Sequence, residues 1–431
     1  MTKPDHLLVL GAAGQMTSVA TRLVCAGDPA LRVTLADRDP GALARLAAQL
    51  GSGRAQTAAL DLFDESALRR AVEGASFVIN GAGPFHRTAG PVMRACIAAG
   101  ASYMDIDDDV ESTLDAIDLD GAARLAGVTL YVGHGASPGF SNVLALDAMR
   151  RLDEPRAVEV AWCVGESGGD AIGRAVAEHT LHIGAGETTG WRDGRRCRRE
   201  SFAQSTAFPL ADPPGAYRLY ECAHPEPVML GFSHPRLRDV VCWGGLHPQP
   251  LNGALRGIAV AVRNGRLDLD DACAFLQSSA RDSKRDEGSD GASRAQRPGA
   301  RAARFAIGGM LRQALRRESS LREVWAALRP RRGAGHTAQP VSGIGARARG
   351  LRGGRAAEVV ARVRLGAGEQ RADGAGSMAA ATGACEAAFF ELARAGGAAP
   401  GVAFPEMWAE PAAFYAALAR ITGAAPEIVI D

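Results

Sequence analysis

The sequence predicts an α/β fold in which residues 1–133 form a doubly wound parallel sheet. Three observations support this prediction. Short apolar runs recur through the region, segments of helical periodicity separate them, and a glycine or an aspartate follows each run. Continuous apolar strands that alternate with amphipathic helices are typical of a parallel sheet with helices on both faces.

Six strands are predicted in this region, and a helix follows each of the first five. The strands are 6–10, 31–36, 55–60, 76–80, 102–106 and 128–132. The helices are 15–25, 39–50, 65–72, 88–99 and a shorter one at 122–126. Six strands in this rhythm predict a dinucleotide-binding domain of the Rossmann type.

The overall charge and the cysteine pattern exclude several classes of protein. The 431 residues include 49 basic and 48 acidic side chains, so a formal net charge of +1 gives no electrostatic basis for binding nucleic acid or a membrane surface. No stretch approaches ~20 uninterrupted apolar residues, no secretion signal is visible, and the eight cysteines contain no CxxC pair. We therefore expect a cytoplasmic protein with reduced thiols.

The basic residues are almost all arginines, because Lys3 and Lys284 are the only lysines. A P-loop requires a lysine after its glycines, a short-chain dehydrogenase usually requires Tyr-x-x-x-Lys, and a Schiff-base enzyme requires a buried lysine. Lys3 precedes the first strand, and Lys284 lies in a polar run at about 280–300 that is predicted to be a flexible insertion. The sequence thus argues against all three chemistries.

The turn after the first strand is the predicted pyrophosphate site. It contains Gly11, Ala13, Gly14, Gln15 and Met16, and a helix follows directly. Glycine lets the backbone approach the pyrophosphate, whose charge is favoured at the N-terminus of the helix. Compared with G-x-G-x-x-G, Ala13 replaces the second glycine and Met16 the third, so an ordinary tight turn is the alternative. The strand–turn–helix order favours the dinucleotide site.

The ends of the second and third strands are predicted to contact the adenosine half of the cofactor. Asp37 can accept hydrogen bonds from the ribose hydroxyls of NAD, whereas Arg38 can pair with the 2′-phosphate of NADP or stack on adenine. This adjacent pair leaves the choice of NAD or NADP open. Asp61 is a candidate for the adenine amino group, or for the cap of the helix that follows.

The loop after the fourth strand is predicted to pass the nicotinamide ribose. Ligands of open α/β sheets bind at the carboxyl edge of the strands, which is where this loop begins. Its residues are Asn80, Gly81, Ala82, Gly83, Pro84 and Phe85.

Four segments, taken in their order and spacing, resemble a known family. They are GAAGQM (11–16), ADRD (36–39), VINGAGPFHRTAGPVMRACIAAGASYMDIDDD (78–109) and GHGASPGFSN (133–142). Together they look like the saccharopine dehydrogenase superfamily, which also holds lysine 6-dehydrogenases and carboxynorspermidine dehydrogenases. The resemblance covers about residues 6–146, with weaker similarities at 224–230, 243–248, 341–346 and 401–406.

The resemblance implies a domain organisation and a reaction. It implies an NAD(P)-binding domain at 1–133, a substrate-binding and dimerisation domain at 134–370 with a mostly antiparallel sheet, and C-terminal helices at 371–431 that return to the first domain. It also implies a homodimer, and hydride transfer at the C–N bond of an amino-acid-derived substrate by a dehydrogenase or reductase of CH–NH groups. Saccharopine-forming members commonly have an aspartate before Pro-Gly, where this chain has Ser137, so saccharopine itself is not the expected substrate.

Candidate catalytic residues follow from the need for a proton acceptor. An amine must be neutral to release hydride, so a base that titrates near the working pH is needed, and no lysine can serve. His224 and Glu226 lie in a segment that two prolines constrain, and they are the first candidates, with His134, His86 or a tyrosine as others. A turn with a surface ion pair is the alternative interpretation of this segment. The 242–248 segment could line the same substrate cleft as His224 and Glu226.

Substrate contacts are expected near the nicotinamide loop and the end of the sixth strand. The substrate carboxylate calls for an arginine fork, for which Arg87 and Arg174 are candidates. The residues expected to contact substrate are Arg87, Asp105, Ser137, Pro138 and Gly139.

His179 and His182 lie three residues apart on one face of a predicted helix. A metal site would need a third ligand and a nearby carboxylate, and the sequence does not indicate which residues would supply them. Surface or core histidines are therefore favoured, and no metal site is predicted.

Two other functions compete with the C–N oxidoreductase. One is an NAD(P)H-dependent reductase of another double bond, such as an enoyl group, built on the same domain. The other is a regulator that binds the dinucleotide without turnover. The substrate is expected to be a small molecule, and no nucleic-acid or membrane partner is expected.

Overall fold

The computed structural model of the chain describes residues 5–51, 53–165, 172–211, 215–281, 299–328, 342–364 and 377–431. The flexible insertion predicted at about 280–300 lies outside these ranges, apart from its two ends. No helix of the described residues is long and apolar enough to cross a membrane.

Sixteen strands lie within the described ranges. They are β1 (His6–Leu10), β2 (Arg32–Asp37), β3 (Gln56–Ala59), β4 (Phe77–Asn80), β5 (Ser102–Asp105), β6 (Thr129–Tyr131), β7 (Glu154–Val164), β8 (Gly186–Arg192), β9 (Arg195–Ser201), β10 (Ser205–Leu210), β11 (Gly215–Glu221), β12 (Asp239–Leu246), β13 (Gly343–Arg352), β14 (Arg355–Arg364), β15 (Gly401–Ala403) and β16 (Glu427–Ile430).

Fifteen helices connect or cover these strands in the same part of the chain. They are α1 (Gln15–Gly27), α2 (Pro40–Leu50), α3 (Glu65–Glu73), α4 (Phe85–Ala99), α5 (Val110–Ala126), α6 (Phe140–Met149), α7 (Arg174–Ile183), α8 (Glu226–Ser233), α9 (Pro250–Arg263), α10 (Leu269–Arg281), α11 (Ala300–Leu315), α12 (Leu321–Leu328), α13 (Met378–Ala395), α14 (Pro405–Trp408) and α15 (Pro411–Thr422).

The first sheet is parallel and has seven strands in the order β15-β6-β5-β4-β1-β2-β3. The chain runs outward from β1 through β2 to β3, and it then crosses back to β4 on the other side of β1. In open α/β sheets, ligands bind where the strand order reverses in this way. The six predicted strands and the Rossmann-like fold of this region are confirmed.

The second sheet is mostly antiparallel, as expected. Its main path is β10-β11-β12-β7-β13-β14-β16, and the hairpin of β8 and β9 joins it through β12. Of the pairs described, only β12 with β7 is parallel. Residues of β7 and β13 alternate between buried and more exposed positions, which is typical of a sheet that covers a core on one face.

The C-terminal residues contact both sheets. Helix α13 packs closely on α1, since a Cβ at Gly383 would lie 2.6 Å from the Met16 carbonyl oxygen. Strand β15 extends the first sheet beside β6, whereas β16 pairs with β14 of the second sheet. The sequence predicted only helices here, because a three-residue strand has no detectable periodicity.

Two predicted helices are longer than expected at their N-terminal ends. The helix predicted at 88–99 begins at Phe85, and the one predicted at 122–126 begins at Val110. Both begin directly after a loop at the carboxyl edge of the first sheet, so their first turns lie beside the predicted ligand site.

The segment around Glu226 is not the loop that the sequence predicted. Glu226 begins α8, with Pro225 just before it and Pro227 in its first turn. Prolines are tolerated there because the N–H groups of a first helical turn have no acceptor within the helix. The prolines therefore fix the start of a helix, and only residues 222–225 connect β11 to it.

Candidate active site

The predicted pyrophosphate turn lies against the loop that follows β4. Gly11 has a φ of +65°, and a Cβ there would lie 2.7 Å from the backbone nitrogen of Ala82. A Cβ at Gly81 would lie 1.7 Å from Thr17 Oγ1 of α1. Both positions therefore require glycine. Gly14 precedes α1, which has no side-chain cap, so its first N–H groups are available to an anion.

Asp37 ties the end of β2 to the pyrophosphate turn. Its Oδ2 accepts a hydrogen bond from the backbone N–H of Ala13 at 3.2 Å, and its Oδ1 accepts one from Asp39 at 3.1 Å. Arg38 is exposed beside it. Asp61 is also exposed, and it accepts a hydrogen bond from the Phe63 N–H, whereas Asp64 caps α3. The alternative that Asp61 caps this helix is therefore wrong.

Residues 80–85, the predicted nicotinamide loop, are held by hydrogen bonds in the interior. Asn80 donates to the Tyr103 hydroxyl at 3.1 Å and accepts from the Ala82 N–H at 3.3 Å. Thr88 donates to the Ala82 carbonyl. A Cβ at Gly83 would lie 3.5 Å from Ala175, so this loop faces the start of α7 from the second half of the chain. Pro84 precedes α4, and the buried Phe85 begins it.

A chain of alternating carboxylates and imidazoles lies where the loop after β5 meets α7 and α8. We call it the histidine–carboxylate array, and it consists of Glu226, His224, Asp108, His179, Asp109 and His86. His224 Nδ1 lies 2.7 Å from Glu226 Oε2. His179 Nε2 lies 3.1 Å from Asp108 Oδ2, and its Nδ1 lies 3.0 Å from Asp109 Oδ1.

The array ends at His86 on the first turn of α4. Asp109 Oδ2 accepts a hydrogen bond from the His86 backbone N–H at 2.9 Å and lies 3.1 Å from its Nδ1. The His86 ring stacks on His182, which in turn contacts Glu111 at 3.2 Å. The array therefore joins α4 of the first sheet to α7 of the second half of the chain.

The contacts within the array shift the pKa values of its members. Burial lowers the pKa of His224, but the Glu226 carboxylate outweighs burial and raises this pKa to about 10. Burial raises the pKa of Glu226, but His224 and Ser137 outweigh it and hold this pKa below its usual value. His179 has a raised pKa because Asp108 and Asp109 outweigh its burial. Burial raises the pKa of Asp108, and the neighbouring Asp109 carboxylate adds to this effect.

Ser137 connects the array to the motif that follows β6. Its hydroxyl donates to Glu226 Oε1 at 2.6 Å, and Ser141 donates to the same oxygen at 3.1 Å. Ser137 is half-buried, whereas Glu226 is fully buried. The Ser137 hydroxyl is thus the more accessible of the groups that touch Glu226. Pro138 and Gly139 continue this turn, and Gly139 has a φ of +125°.

A second buried network lies behind Glu226. Asn142 donates to Glu406 Oε2 at 2.8 Å, and Ser233 donates to Glu406 Oε1 at 2.8 Å. Burial raises the pKa of Glu406 to about 7. The sequence analysis gave the motifs at 133–142, 224–230 and 401–406 as separate similarities to the family. In the structure they meet in one polar core.

The structure does not bring His134 into this group. Its ring is fully buried among Tyr131, Phe389 and Trp408, and Trp408 Nε1 donates to His134 Nε2 at 3.0 Å. Burial lowers the pKa of His134 to about 3, so the ring is neutral at ordinary pH. His134 thus lies in the core behind the carboxyl edge of the sheet.

Asp105 and Arg87 occupy different surroundings. Asp105 is fully buried, and its carboxylate accepts hydrogen bonds from the Tyr103 hydroxyl at 2.6 Å and the Gly133 N–H at 2.8 Å. Burial raises the pKa of Asp105 to about 7. Arg87 is largely exposed, lies over the Phe63 ring, and is 3.8 Å from Glu178. Of the two, only Arg87 could reach a ligand in the cleft.

Two other candidates lie away from the cleft or beneath it. Arg174 begins α7 and pairs with Asp270, so it is engaged on the surface. Cys242 is fully buried on β12, with its Sγ 3.8 Å from Cys222 Sγ. Residues 242–245 thus belong to a buried strand, whereas 246–248 are half-buried.

Sequence reasoning missed Asp108, Asp109 and His179 as site residues. The run DIDDD followed a predicted strand at the carboxyl edge, so its position was a usable signal for a ligand site. The contact between this run and His179 spans 70 positions, which no local pattern reveals.

Comparisons with known proteins agree with the predicted family resemblance and with the fold. Residues 7–130 match the family described as the saccharopine dehydrogenase NADP binding domain. This part of the chain is therefore similar to a saccharopine dehydrogenase NADP binding domain. The predicted resemblance is confirmed, and so is the expectation of NAD or NADP as the cofactor of this domain.

Two relatives extend the comparison to saccharopine dehydrogenase-like proteins. The apo saccharopine dehydrogenase (L-Glu forming) of Saccharomyces cerevisiae has a TM-score of 0.60 and 15% identity, over 99% of this chain and 100% of that one, which shows a shared fold. The carboxyaminopropylagmatine dehydrogenase of a Synechocystis strain is 26% identical over 175 residues, or 38% of this chain. This chain therefore aligns with 43% of that protein's length.

Proposed function

We propose that the protein is an NAD(P)-dependent oxidoreductase that transfers hydride at the C–N bond of an amino-acid-derived substrate. The observation that carries this proposal is the position of the histidine–carboxylate array beside the nicotinamide loop of a saccharopine dehydrogenase NADP-binding domain. His86, which ends the array, lies one residue after that loop. Hydride acceptor and proton acceptor would therefore face one cleft.

The cofactor contacts follow from the geometry of the first sheet. The pyrophosphate would bind at the start of α1, beside Gly11, Ala13, Gly14, Gln15 and Met16. Asp37 and Arg38 would contact the adenosine ribose, with Asp61 near the adenine. The loop from Asn80 to Phe85 would pass the nicotinamide ribose.

The reaction needs a group that takes up a proton. When the amine is oxidised, the C–H bond breaks and its electron pair goes to the nicotinamide ring, while the N–H proton leaves for a base and a C=N bond forms. We propose that this proton passes through the Ser137 hydroxyl, which donates to Glu226 at 2.6 Å, to the buried pair of Glu226 and His224. His224 would hold Glu226 in place from the other side, at 2.7 Å.

The substrate would lie between the loop after β6 and α7. Arg87 is the proposed partner of the substrate carboxylate. Its guanidinium is exposed, and its ion pair with Glu178 is long, at 3.8 Å. The turn at Ser137, Pro138 and Gly139 would contact the reacting end. His134 and Asp105 would support this turn from the core rather than touch substrate, since both are fully buried.

Turnover with two substrate panels tests the proposal. NAD(P)H consumption would be followed with amino acids plus aldehydes or keto acids, and separately with enoyl thioesters. We expect turnover in the first panel, and Glu226→Gln should lower kcat by about 10²–10⁴ without changing NAD(P)H affinity. Turnover of enoyl thioesters alone would favour the other reductase, and cofactor binding without any turnover would favour a regulator.

Other expectations remain proposals. They are the domain boundaries at 133 and 370, a homodimer that forms through the second sheet domain, and a cytoplasmic location. The oligomeric state is measured directly by light scattering of the purified full chain, and a mass of one chain would exclude the homodimer.

A further inference from the structure

Asp108, His179 and His224 form a compact set of donor atoms at the junction between the two halves of the chain. One ligand atom from each residue lies within 4.8 Å of the others. His179 Nε2 and Asp108 Oδ2 are 3.1 Å apart. The three residues come from the loop after β5, from α7 and from the loop before α8. Only the tertiary structure brings them together.

Both imidazoles are oriented as metal-bound histidines usually are. Asp109 holds His179 Nδ1 at 3.0 Å, and Glu226 holds His224 Nδ1 at 2.7 Å. Metal-binding histidines almost always donate their other ring N–H to a carboxylate or carbonyl, which fixes the tautomer and the ring orientation. Here that arrangement occurs twice, and it leaves Nε2 of each ring as the potential metal ligand on the Asp108 side.

The charges around this set favour a cation. Within the described part of the chain, the ion pairs of Asp108, Asp109 and Glu226 are all to histidines. The rings of His179 and His224 lie 6.3 Å apart, so two imidazolium ions there would repel each other in a buried site. A dication bound to two neutral rings would balance the negative charge of the same carboxylates without that repulsion.

The accessibility of the set differs among its members. The His224 side chain is 4% exposed, whereas those of His179 and Asp108 are 13% and 30% exposed. The set is therefore closed to solvent on the His224 side and accessible on the Asp108 side. Zinc sites with three protein ligands keep one position for water or substrate, and ligand atoms around zinc are about 3.3 Å apart. Small movements of these side chains would reach that spacing.

We propose that Asp108, His179 and His224 bind a zinc ion, with the fourth position open to the substrate cleft. Two imidazole nitrogens with one carboxylate suit zinc and neighbouring transition metals rather than magnesium or calcium. The sequence predicted no metal site, because His182 was the only apparent companion of His179. The proposal depends on the proposed function only for the identity of the cleft, where the ion would bind a carboxylate or nitrogen of the substrate.

Cobalt titration tests this site without a known substrate. The full chain, freed of metal with a chelator, would be titrated with Co²⁺, and zinc would be counted by elemental analysis after dialysis against Zn²⁺. We expect one ion per chain, with the visible absorption of four-coordinate Co²⁺. His179→Ala and Asp108→Asn should abolish this absorption, and Asp109→Asn should weaken Co²⁺ binding about 10- to 100-fold.

His182→Ala is the matched control. It removes an imidazole three residues further along α7 whose ring contacts Glu111, and Co²⁺ affinity should not change. Equal Co²⁺ binding by His179→Ala and His182→Ala, with circular dichroism showing both folded, would overturn the proposal. So would the absence of any tightly bound ion in the folded wild type. Metal binding without NAD(P)H turnover would contradict only the proposed function, and turnover by folded protein that binds no Zn²⁺ or Co²⁺ would contradict only this inference.

Discussion

Ser137 donates a 2.6 Å hydrogen bond to Glu226, which lies 89 positions further along the chain. This contact joins the turn after β6, which belongs to the first sheet, to the first residue of α8, which follows the second sheet's β11. Glu226 is fully buried, so its charge depends on the few groups that touch it. A change at either residue should therefore affect both the packing of these two elements and the proposed proton transfer.

Ser137→Ala should lower the free energy of unfolding by about 1–3 kcal/mol, because it removes one hydrogen bond to a buried carboxylate. The measurement is urea unfolding followed by circular dichroism. Ser205→Ala is a suitable control, since the Ser205 hydroxyl accepts a hydrogen bond from the exposed Arg218 of the neighbouring strand. An unchanged midpoint for Ser137→Ala would show that water replaces the hydroxyl at Glu226 without cost.

Gly14→Val should abolish NAD(P) binding in a folded protein. Gly14 has a φ of −60°, so its backbone conformation is open to any residue, and a Cβ would lie 3.1 Å from the Gly11 carbonyl oxygen. The valine side chain would occupy the space before α1 where the pyrophosphate is expected.

Fluorescence titration with NADH and NADPH measures the effect of Gly14→Val. Gly27→Val on the same helix has no atom within 4 Å of its Cβ, and it should bind normally. Normal affinity in Gly14→Val would place the cofactor elsewhere.

Asp37→Ala should shift cofactor preference toward NADP, and Arg38→Ala should shift it toward NAD. The carboxylate binds ribose hydroxyls and repels a 2′-phosphate, whereas the guanidinium attracts it. Each contact is expected to change the ratio of affinities by about 10- to 100-fold. Because Asp37 also accepts a hydrogen bond from the Ala13 N–H, its replacement should also lower the affinity for both cofactors.

The ratio of NADH to NADPH dissociation constants checks this prediction. Arg32→Ala, at the exposed start of β2, serves as the control for a general change in charge. If Asp37→Ala and Arg38→Ala left the ratio unchanged, neither side chain would contact the 2′ position.

Glu386 should make the protein less stable as the pH rises. It is fully buried on α13, neither carboxyl oxygen has a hydrogen-bond partner in the described residues, and burial, together with nearby Asp105, raises its pKa to about 8. A group whose pKa is higher in the folded state contributes stability below its unfolded pKa, near 4.5, and loses it as the pH rises toward 8. Glu386→Gln should therefore stabilise the protein relative to wild type at pH 8.5 but not at pH values below about 4.5.

Urea unfolding at these two pH values measures the difference between wild type and Glu386→Gln. Glu391→Gln is the matched control, because Glu391 lies five residues further along α13 and pairs with Arg420 near the surface. Parallel pH dependence in wild type and Glu386→Gln would mean that the Glu386 carboxyl ionises as easily in the folded chain as in the unfolded one.

The sequence by itself determined the first sheet and the glycine turn that is predicted to bind the cofactor. Six apolar runs separated by helical segments define a parallel sheet, and Gly11 and Gly81 mark turns where only glycine fits. These features are local, since strand pattern, turn chemistry and helix periodicity all act within about ten residues. The family resemblance was visible for the same reason, because its motifs lie at the ends of consecutive strands.

Only the tertiary structure decided how the candidate site is assembled. Asp109 contacts His179 across 70 positions, and Asn142 contacts Glu406 across 264. Neither contact can be detected from a local sequence pattern. His134 and His224 look alike in sequence as histidines after strands, yet one lies among aromatic rings and the other against Glu226. Burial and the identity of the neighbouring charge set the protonation of each ring, and the packing of distant elements fixes both.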